Sequence, residues 1–257
     1  MINVVMHGCN GRMGQVISGI ISADESLEML AGVDKFDDGH NPYPVYKDVK
    51  EIPDGADVII DFSNADAVDG LLDYCAEKNI PVVLCTTGLS EAQPEKMKET
   101  SGKVAILKSA NMSLGVNLLM KALKEYAPIL AENGFDIEVV EKHHNQKLDA
   151  PSGTAIALAD AVNSAFDESD RYDYVYDRST RREKRRAKEI GISAVRGGTI
   201  VGDHDVIFAG QDEVVTFSHM AYSRALFGRG AVSAAKFLAG KPAGLYDMSN
   251  VIDELLR

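Results

Sequence analysis

The stretch that decides the fold is "INVVMHGCNGRMG", residues 2–14, close to the start of the chain. A largely apolar run comes first, and glycines then follow at positions 8, 11 and 14. Apolar residues continue beyond the turn at the spacing of one helix face: Met13, Val16, Ile17, Ile20 and Ile21. The pattern predicts a strand, a tight glycine turn and a helix, an arrangement that binds the pyrophosphate of a dinucleotide at the helix N-terminus.

An acidic residue at the end of the second predicted strand supports a dinucleotide site. The stretch "LEMLAGVD" is typical of a strand, and its last residue, Asp34, lies 20 residues beyond Gly14. A carboxylate at that point can accept hydrogen bonds from the ribose hydroxyls of NAD. Lys35 follows and can pair with the 2′-phosphate of NADP. We therefore expect both NADH and NADPH to be used.

The strand and helix alternation continues through the first hundred residues. Apolar runs at 57–62, 80–85 and 104–108 are typical of buried parallel strands. Small polar residues follow these runs: Ser63, Thr86, Thr87 and Asn111. Ligands of such sheets bind at the carboxyl ends of the strands. The first part of the chain is therefore predicted to be an α/β domain with a Rossmann-like, doubly wound parallel sheet.

The second half changes character. A long helix is predicted from 114 to about 132, a half-buried strand at 135–142, a helix after 154, and strands at 191–196, 204–209 and 213–219. These elements predict an α+β domain with an open mixed sheet that binds substrate and forms the oligomer. A helix over 225–239 then returns the chain to the first domain. The predicted domains are 1–112 with 223–257 for the dinucleotide, and 113–222 for the substrate.

Composition excludes several classes of protein. The 257 residues carry a formal net charge of −12, which argues against general binding to nucleic acid or an anionic membrane. The basic run 181–188 is accordingly predicted to be a solvated loop or helix. Three cysteines without paired spacing suit a reducing compartment, and no leader or membrane span is evident. The expected location is the cytoplasm.

The stretch "EKHHNQKLDAPSGTA", residues 141–155, has the strongest chemical signal. Histidine transfers protons near neutral pH, and lysine can neutralise a carboxylate or protonate an anion. Ser152, Gly153 and Thr154 stand where a helix is predicted to begin and can hold a carboxylate. Zinc is disfavoured, because no further ligand pattern accompanies the histidine pair. The stretch is predicted to bind a small dianion and protonate it, without a metal.

The sequence is similar to the 4-hydroxy-tetrahydrodipicolinate reductase family, also called dihydrodipicolinate reductase, of lysine and diaminopimelate biosynthesis. The similarity runs nearly end to end, through "GCNGRMG", "DFS", "TTG", "SANMSLGVN", "EKHHNQKLDAPSGTA", "RGGTIVGDHDV" and "SRALFGRGA". It implies NAD(P)H-dependent reduction of a cyclic dicarboxylate with loss of water, by a homotetramer. Cys9-Asn10 and Asp34-Lys35 depart from the commoner residues of the family.

The resemblance also implies roles for individual residues. His143 would be the general acid and base and Lys147 the proton donor. Substrate would be bound by His144, Gly153 and Thr154, next to Ser152 of the predicted helix start. Nucleotide would be bound by Gly8, Cys9, Asn10, Gly11, Arg12, Met13, Asp34, Lys35, Thr86, Thr87, Gly88, Ser109, Ala110, Asn111, Met112, Arg224 and Phe227.

Two alternatives stay open at this point. One is another two-domain NAD(P)-dependent dehydrogenase, acting on an amino acid or a semialdehyde. A semialdehyde enzyme needs a cysteine nucleophile in its second half, whereas all three cysteines lie within the first 85 residues. The other is a non-catalytic NADP-binding sensor, which has little use for His143 and Lys147 together.

Overall fold

The computed structural model describes residues 1–37, 39–176 and 178–256. The chain divides into two compact units, Met1–Ser113 with Ala225–Arg257, and Leu114–Arg224. No helix in the described ranges is both long enough and apolar enough to cross a membrane.

The first unit is built on a seven-stranded parallel sheet in the order β12-β6-β5-β4-β1-β2-β3. The strands are β1 (Ile2–His7), β2 (Leu27–Val33), β3 (Val45–Tyr46), β4 (Val58–Asp61), β5 (Val82–Leu84), β6 (Ala105–Lys108) and β12 (Gly244–Tyr246). The helices are α1 (Arg12–Ser22), α2 (Ala65–Lys78), α3 (Gln93–Ser101), α6 (Ala225–Leu238) and α7 (Met248–Leu255), with a short 3₁₀ helix at Val49–Glu51.

The buried strands explain why this sheet forms. In β1, β4 and β5 consecutive side chains, which point to opposite faces of the sheet, are buried. This is expected for parallel strands that are covered on both faces. β1 lies between β2 and β4, so the strand order reverses beside it. A reversal of this kind opens a crevice at the carboxyl ends of the strands. The predicted Rossmann-like parallel sheet is confirmed.

The second unit is a five-stranded mixed sheet in the order β11-β10-β7-β9-β8. Its strands are β7 (Asp136–His143), β8 (Asp173–Val175), β9 (Glu189–Arg196), β10 (Gly202–Ala209) and β11 (Val214–Ala221). Its helices are α4 (Leu114–Glu132) and α5 (Gly153–Asn163), with a 3₁₀ turn at Glu168–Asp170. β10 runs antiparallel to β7 and β11, whereas β9 runs parallel to β7 and β8. The predicted open mixed sheet is confirmed.

The core of the second unit lies between the sheet and its two helices. Leu123 of α4 and Leu158 of α5 pack with Val139 of β7 and Phe208 of β10, all without exposed surface. Alternate residues of β7 and β10 point into this core, which gives both strands a period-two burial pattern. Because of the same alternation, the polar side chains of Glu141 and His143, near the end of β7, are also buried.

The basic run 181–188 forms neither helix nor strand, and most of its side chains are exposed. Arg185 is the exception to the predicted solvated segment. Its guanidinium lies 2.6 Å from the Asp136 carboxylate and 3.0 Å from that of Glu138. It also donates to the carbonyl of Ile137. Arg185 therefore binds this segment to β7, because a guanidinium satisfies carboxylate and carbonyl acceptors together.

Candidate functional site

The glycine turn of the first unit admits no larger side chain at two positions. Gly8 has φ +83°, and a Cβ there would lie 2.7 Å from the carbonyl oxygen of Phe62. A Cβ on Gly14 would lie 2.2 Å from the carbonyl oxygen of Gly8. α1 begins at Arg12, and its N-cap, Gly11, places no side chain over the first turn. The turn therefore leaves backbone N–H groups accessible to an anion, as a bound pyrophosphate requires.

A groove of about 240 Å³ lies beside this turn. It is lined by His7, Gly8, Gly11, Val33, Asp34, Lys35, Phe36, Phe62, Ser63, Asn64 and Ala67. The groove places the carboxylate of Asp34 and the ammonium of Lys35 within one cavity with the glycine turn. Residues of these types, in this order, fit the ribose and phosphates of a nicotinamide dinucleotide.

Asp34 also holds the turn in shape. Its Oδ2 accepts a hydrogen bond from the backbone N–H of Asn10 at 3.0 Å. The Asn10 side chain donates to the carbonyl of Phe36 and accepts from Asn41. Cys9 is buried, and burial, followed by the charge of Asp34, raises the pKa of its thiol to about 11. Asn10 thus joins the turn to the loop after β2.

The remaining predicted nucleotide residues follow other strands of the same sheet. Thr86 to Gly88 come after β5, and Ser109 to Met112 come after β6. The ammonium of Lys108 donates to the carbonyl of Thr86 at 2.6 Å. Phe227 lies in α6, within the first unit, whereas Arg224 closes the second unit. All except Arg224 therefore belong to one unit.

A buried network at the strand ends escaped the sequence analysis. Asp61, the last residue of β4, has no exposed surface and accepts hydrogen bonds from His7 Nδ1 at 2.7 Å and Thr86 Oγ1 at 2.6 Å. Ser63 Oγ donates to the same carboxylate at 2.6 Å. Burial alone would raise the pKa of Asp61, but these hydrogen bonds and His7 lower it overall. The sequence signal that could have revealed this network was Asp61 itself, a charged residue at the end of an apolar strand.

The center of the second unit's site is Glu141 of β7, which has no exposed surface. Its Oε2 accepts from His143 Nδ1 at 2.6 Å, and its Oε1 accepts from the backbone N–H of Ser152 at 2.9 Å. Arg196 of β9 donates to both oxygens, at 2.8 Å each. Burial would raise the pKa of Glu141, but the hydrogen bonds from Arg196, His143 and Ser152 lower it. The carboxylate is therefore ionised and fully hydrogen-bonded.

Ser152 caps α5 and joins a second histidine to the network. Its Oγ accepts from the N–H of Ala155 at 3.2 Å and lies 3.0 Å from Nε2 of His204. The rings of His143 and His204 meet edge to face, with centroids 5.1 Å apart. Since Ser152 uses both its N–H and its hydroxyl within the protein, its predicted contact with substrate stays a prediction. The preceding residue, Pro151, lies before the cap rather than in the first helical turn.

Lys147 forms an ion pair with Asp149, whose backbone carbonyl accepts a hydrogen bond from Arg196. Its Nζ lies 2.8 Å from Oδ2 of Asp149, and the lysine side chain is largely buried whereas the aspartate is exposed. The hydrogen bond from Lys147 is the main reason that the pKa of Asp149 is lowered. An anionic ligand at Lys147 would therefore compete with Asp149 for the same ammonium.

His144 lines a cavity of about 390 Å³ within the second unit. The other lining residues are Asn145, Gln146, Gly198, Thr199, Val201 and Arg224. Arg224, predicted to bind nucleotide, thus shares a cavity with the predicted substrate ligand His144. Gly153 and Thr154 form the start of α5, where the space around the Cα of Gly153 is open.

Two family descriptions match the chain. "Dihydrodipicolinate reductase, N-terminus" matches residues 2–112, and "Dihydrodipicolinate reductase, C-terminus" matches residues 115–252. A relative described as 4-hydroxy-tetrahydrodipicolinate reductase from Caldanaerobacter subterraneus subsp. tengcongensis is 52% identical over 98% of both chains. Another with the same description, from Clostridium novyi, is 47% identical over 98% of both.

Solved structures are similar as well. A dipicolinate-bound dihydrodipicolinate reductase from Paenisporosarcina sp. TG-14 matches with a TM-score of 0.80 and 26% identity, over 97% of this chain and 99% of that one. A myo-inositol dehydrogenase from Corynebacterium glutamicum matches with a TM-score of 0.60 and 14% identity, over 95% and 90% of the two chains. The latter likeness concerns the fold alone.

Proposed function

The chain belongs to the dihydrodipicolinate reductase family, and on this premise we propose that it reduces 4-hydroxy-tetrahydrodipicolinate to tetrahydrodipicolinate. The reaction releases water, uses NADH or NADPH, and belongs to lysine and diaminopimelate biosynthesis. The observation that carries the proposal is His143, whose ring is hydrogen-bonded to the buried Glu141, while the same carboxylate accepts from the N-cap of α5. Lys147 follows four residues after His143 in the chain. A proton donor, a cation and a helix start suit a small dianion.

The first unit is the proposed nucleotide-binding unit. Its glycine turn would hold the pyrophosphate, with Asp34 at the ribose and Lys35 at the 2′ position. When bound, the reduced nicotinamide supplies a hydride. Residues 86–88 and 109–112 stand at the carboxyl ends of their strands, the edge at which such sheets bind ligands.

The second unit is the proposed substrate-binding unit. The solved relative holds dipicolinate, a planar dicarboxylate. In this chain His144 and the start of α5 would hold the carboxylates, since imidazole N–H groups and helix N-termini donate hydrogen bonds to such groups. Lys147 would neutralise charge beside the reacting ring, and with His143 it would supply the proton that accompanies the hydride.

The alternatives lose support from the placement of the cysteines. All three are buried in the first unit, and burial raises the pKa of Cys75 and of Cys85 far above the ordinary thiol value. A semialdehyde dehydrogenase needs an accessible thiolate close to its substrate. A non-catalytic sensor leaves the paired Glu141 and His143 without a purpose.

Assembly and location complete the proposal. We infer a homotetramer built on the sheet of the second unit, because its strand β11 is an edge strand with Val214 and Met220 exposed. We also infer a cytoplasmic site of action, where the three unpaired cysteines would stay reduced.

A coupled assay tests the function. Pyruvate, aspartate semialdehyde and the upstream synthase generate the substrate, and the nicotinamide absorbance is followed with NADH or NADPH. We expect rapid oxidation only when the upstream synthase is present. His143→Ala and Lys147→Ala should each lower kcat by about 10²–10⁴-fold while nucleotide binding stays intact. Full turnover in both variants would refute the assignment of proton transfer to this stretch.

A further inference from the structure

We propose that Glu141 is the positioning residue of the acid–base site, and that it determines which ring nitrogen of His143 exchanges the proton. The inference rests on the proposed function, because it assigns a task in that reaction. It concerns a residue that touches neither substrate nor nucleotide and acts through His143.

The hydrogen bonds of Glu141 fix its charge state. Two N–H groups of Arg196, the N–H of Ser152 and Nδ1 of His143 all point to one carboxylate. Four donors on two oxygens use the acceptor capacity that an ionised carboxyl offers. Arg196 makes a bidentate pair, which is the strongest geometry for holding a buried carboxylate in its charged form.

An ionised Glu141 fixes the tautomer of His143. A carboxylate can only accept hydrogen bonds. Nδ1 of His143, which lies 2.6 Å from Oε2 of Glu141, must therefore carry a hydrogen. In the neutral ring Nε2 is then the basic nitrogen, and in the charged ring Nε2 bears the proton that is given away. Proton exchange is thereby confined to Nε2.

The surroundings of Nε2 agree with this assignment. Gly202, the first residue of β10, directly precedes Asp203, which pairs with Lys142 of β7. A Cβ at position 202 would lie 3.1 Å from Nε2 of His143. Glycine at this position keeps a Cβ from approaching Nε2 that closely, whereas Nδ1 is hydrogen-bonded to Glu141.

The same carboxylate aligns the start of α5 and the loop before it. Oε1 accepts from the N–H of Ser152, the N-cap of α5. Arg196, while bound to Glu141, also donates to the carbonyl of Asp149 at 2.5 Å. Glu141 therefore couples the imidazole to the loop that carries Lys147, so that the two proton-transferring residues keep a fixed relation.

The guanidinium of Arg196 limits the electrostatic effect of Glu141 on the His143 ring. Since Arg196 balances its charge at 2.8 Å, Glu141 acts chiefly by orienting the ring rather than by adding negative charge beside it. Loss of the carboxylate should then change the tautomer and lower turnover, with little effect on nucleotide binding.

The wild-type protein gives the first test. Its histidines are labelled with ¹⁵N, and the His143 signals are identified by their absence in His143→Asn. At a pH where the ring is neutral, the ¹⁵N shifts should show hydrogen on Nδ1. Hydrogen on Nε2 in the wild type would overturn the proposal, whether or not any variant folds.

The variant Glu141→Gln gives the second test. Its amide can donate to Nδ1, so the ring should switch to the tautomer with hydrogen on Nε2. We expect kcat to fall by about 10²–10⁴-fold, as for a misplaced proton in a catalytic dyad, with the KM for NADH changed less than threefold. Unchanged kcat, or an unchanged tautomer, would contradict the positioning role.

Glu189→Gln is the matched control. Glu189 is a buried carboxylate of β9 that is likewise paired with arginine, at 2.7 Å from Arg178, but it has no bond to His143. It should keep the wild-type tautomer and turnover; an equal loss of kcat would mean that any buried carboxylate matters equally and would refute the proposal. A wild type that fails to reduce the substrate would refute the proposed function instead, and the ¹⁵N spectrum would still decide the tautomer.

Discussion

His204 is a buried histidine whose protonation is linked to folding. It is 4% exposed, and burial, with the nearby His143 as the next cause, lowers its pKa from 6.5 to about 4. In the unfolded chain the ring takes up a proton near pH 6.5, whereas the folded protein keeps it neutral down to about pH 4. Its contribution to stability is therefore complete above pH 6.5 and is lost as the pH falls through this window.

This linkage predicts a pH-dependent difference between wild type and His204→Gln. The pKa difference corresponds to about 3 kcal/mol of the free energy of unfolding. Urea unfolding at pH 7.5 and at pH 4.5 should show a steeper loss of stability in the wild type than in the variant. Parallel losses in the two proteins would mean that His204 titrates alike in the folded and unfolded chain.

Lys147 is paired with Asp149, and this pair should compete with an anionic ligand. Asp149→Ala removes the competing carboxylate and a negative charge close to a dianionic substrate. Because partly exposed ion pairs contribute about 0.2–1 kcal/mol, the KM for substrate should fall by up to about fivefold. Initial rates over a range of substrate concentrations measure the change, with Asp160→Asn as a control remote from Lys147. A raised KM would show that Asp149 supports the bound state.

The sequence revealed the residues proposed to act on substrate, but not the residues that orient them. His143 and Lys147 were apparent from their chemistry, whereas Glu141 resembled an ordinary surface charge of a half-buried strand. The phase of β7 was the usable signal, since Ile137, Val139 and Glu141 alternate onto one face. Arg196, its partner, comes from a strand more than fifty residues away, and no local pattern joins the two.

At the scale of the elements, α6 packs within the first unit through Gly230, which lies against the backbone of Met112. A Cβ on Gly230 would lie 1.6 Å from the carbonyl oxygen of Met112, which is a backbone atom and can move only with its chain. We expect Gly230→Ala to lower the free energy of unfolding by at least about 1–3 kcal/mol, measured in urea.

Gly19 provides the matched control for this substitution. It also lies within a helix, α1, but no atom comes within 4 Å of a Cβ built there. Gly19→Ala should therefore stabilise the protein by roughly 0.5–1 kcal/mol through helix propensity alone. Destabilisation of equal size in both variants would show that the contact of Gly230 with the Met112 carbonyl is not the cause.

Strands that contain a continuous apolar run were predicted, whereas two elements without such a run, α3 and β12, were not. β1, β4, β5 and β6 coincide with the apolar runs seen in the sequence. α3 was not predicted, because "QPEKMKETS" offers Met97 as its one large apolar residue. β12 was also missed, since three residues joining a sheet edge depend on β6 rather than on their own sequence. Short elements of this kind are fixed by tertiary pairing.

At the scale of the whole molecule, the sheet of the second unit predicts assembly. α4 and α5 cover one face of this sheet. On the opposite face the side chains of Val195, Val214 and Met220 are 47% to 62% exposed. We expect light scattering to give a mass four times the chain's 27.8 kDa. Met220→Glu should lower that mass, whereas Leu256→Glu on the first unit should not; a monomeric wild type would refute the proposed tetramer.

The most direct measurement of the central claim is isotopic. NADH carrying deuterium at the transferable position is incubated with the protein and freshly generated substrate, and the product is analysed by mass spectrometry. We expect a product that has lost one oxygen relative to the substrate and gained one deuterium, because one deuteride and one solvent proton add as water leaves. A product that keeps the oxygen, or a nucleotide that keeps all its deuterium, would contradict the claim that this protein catalyses the reduction.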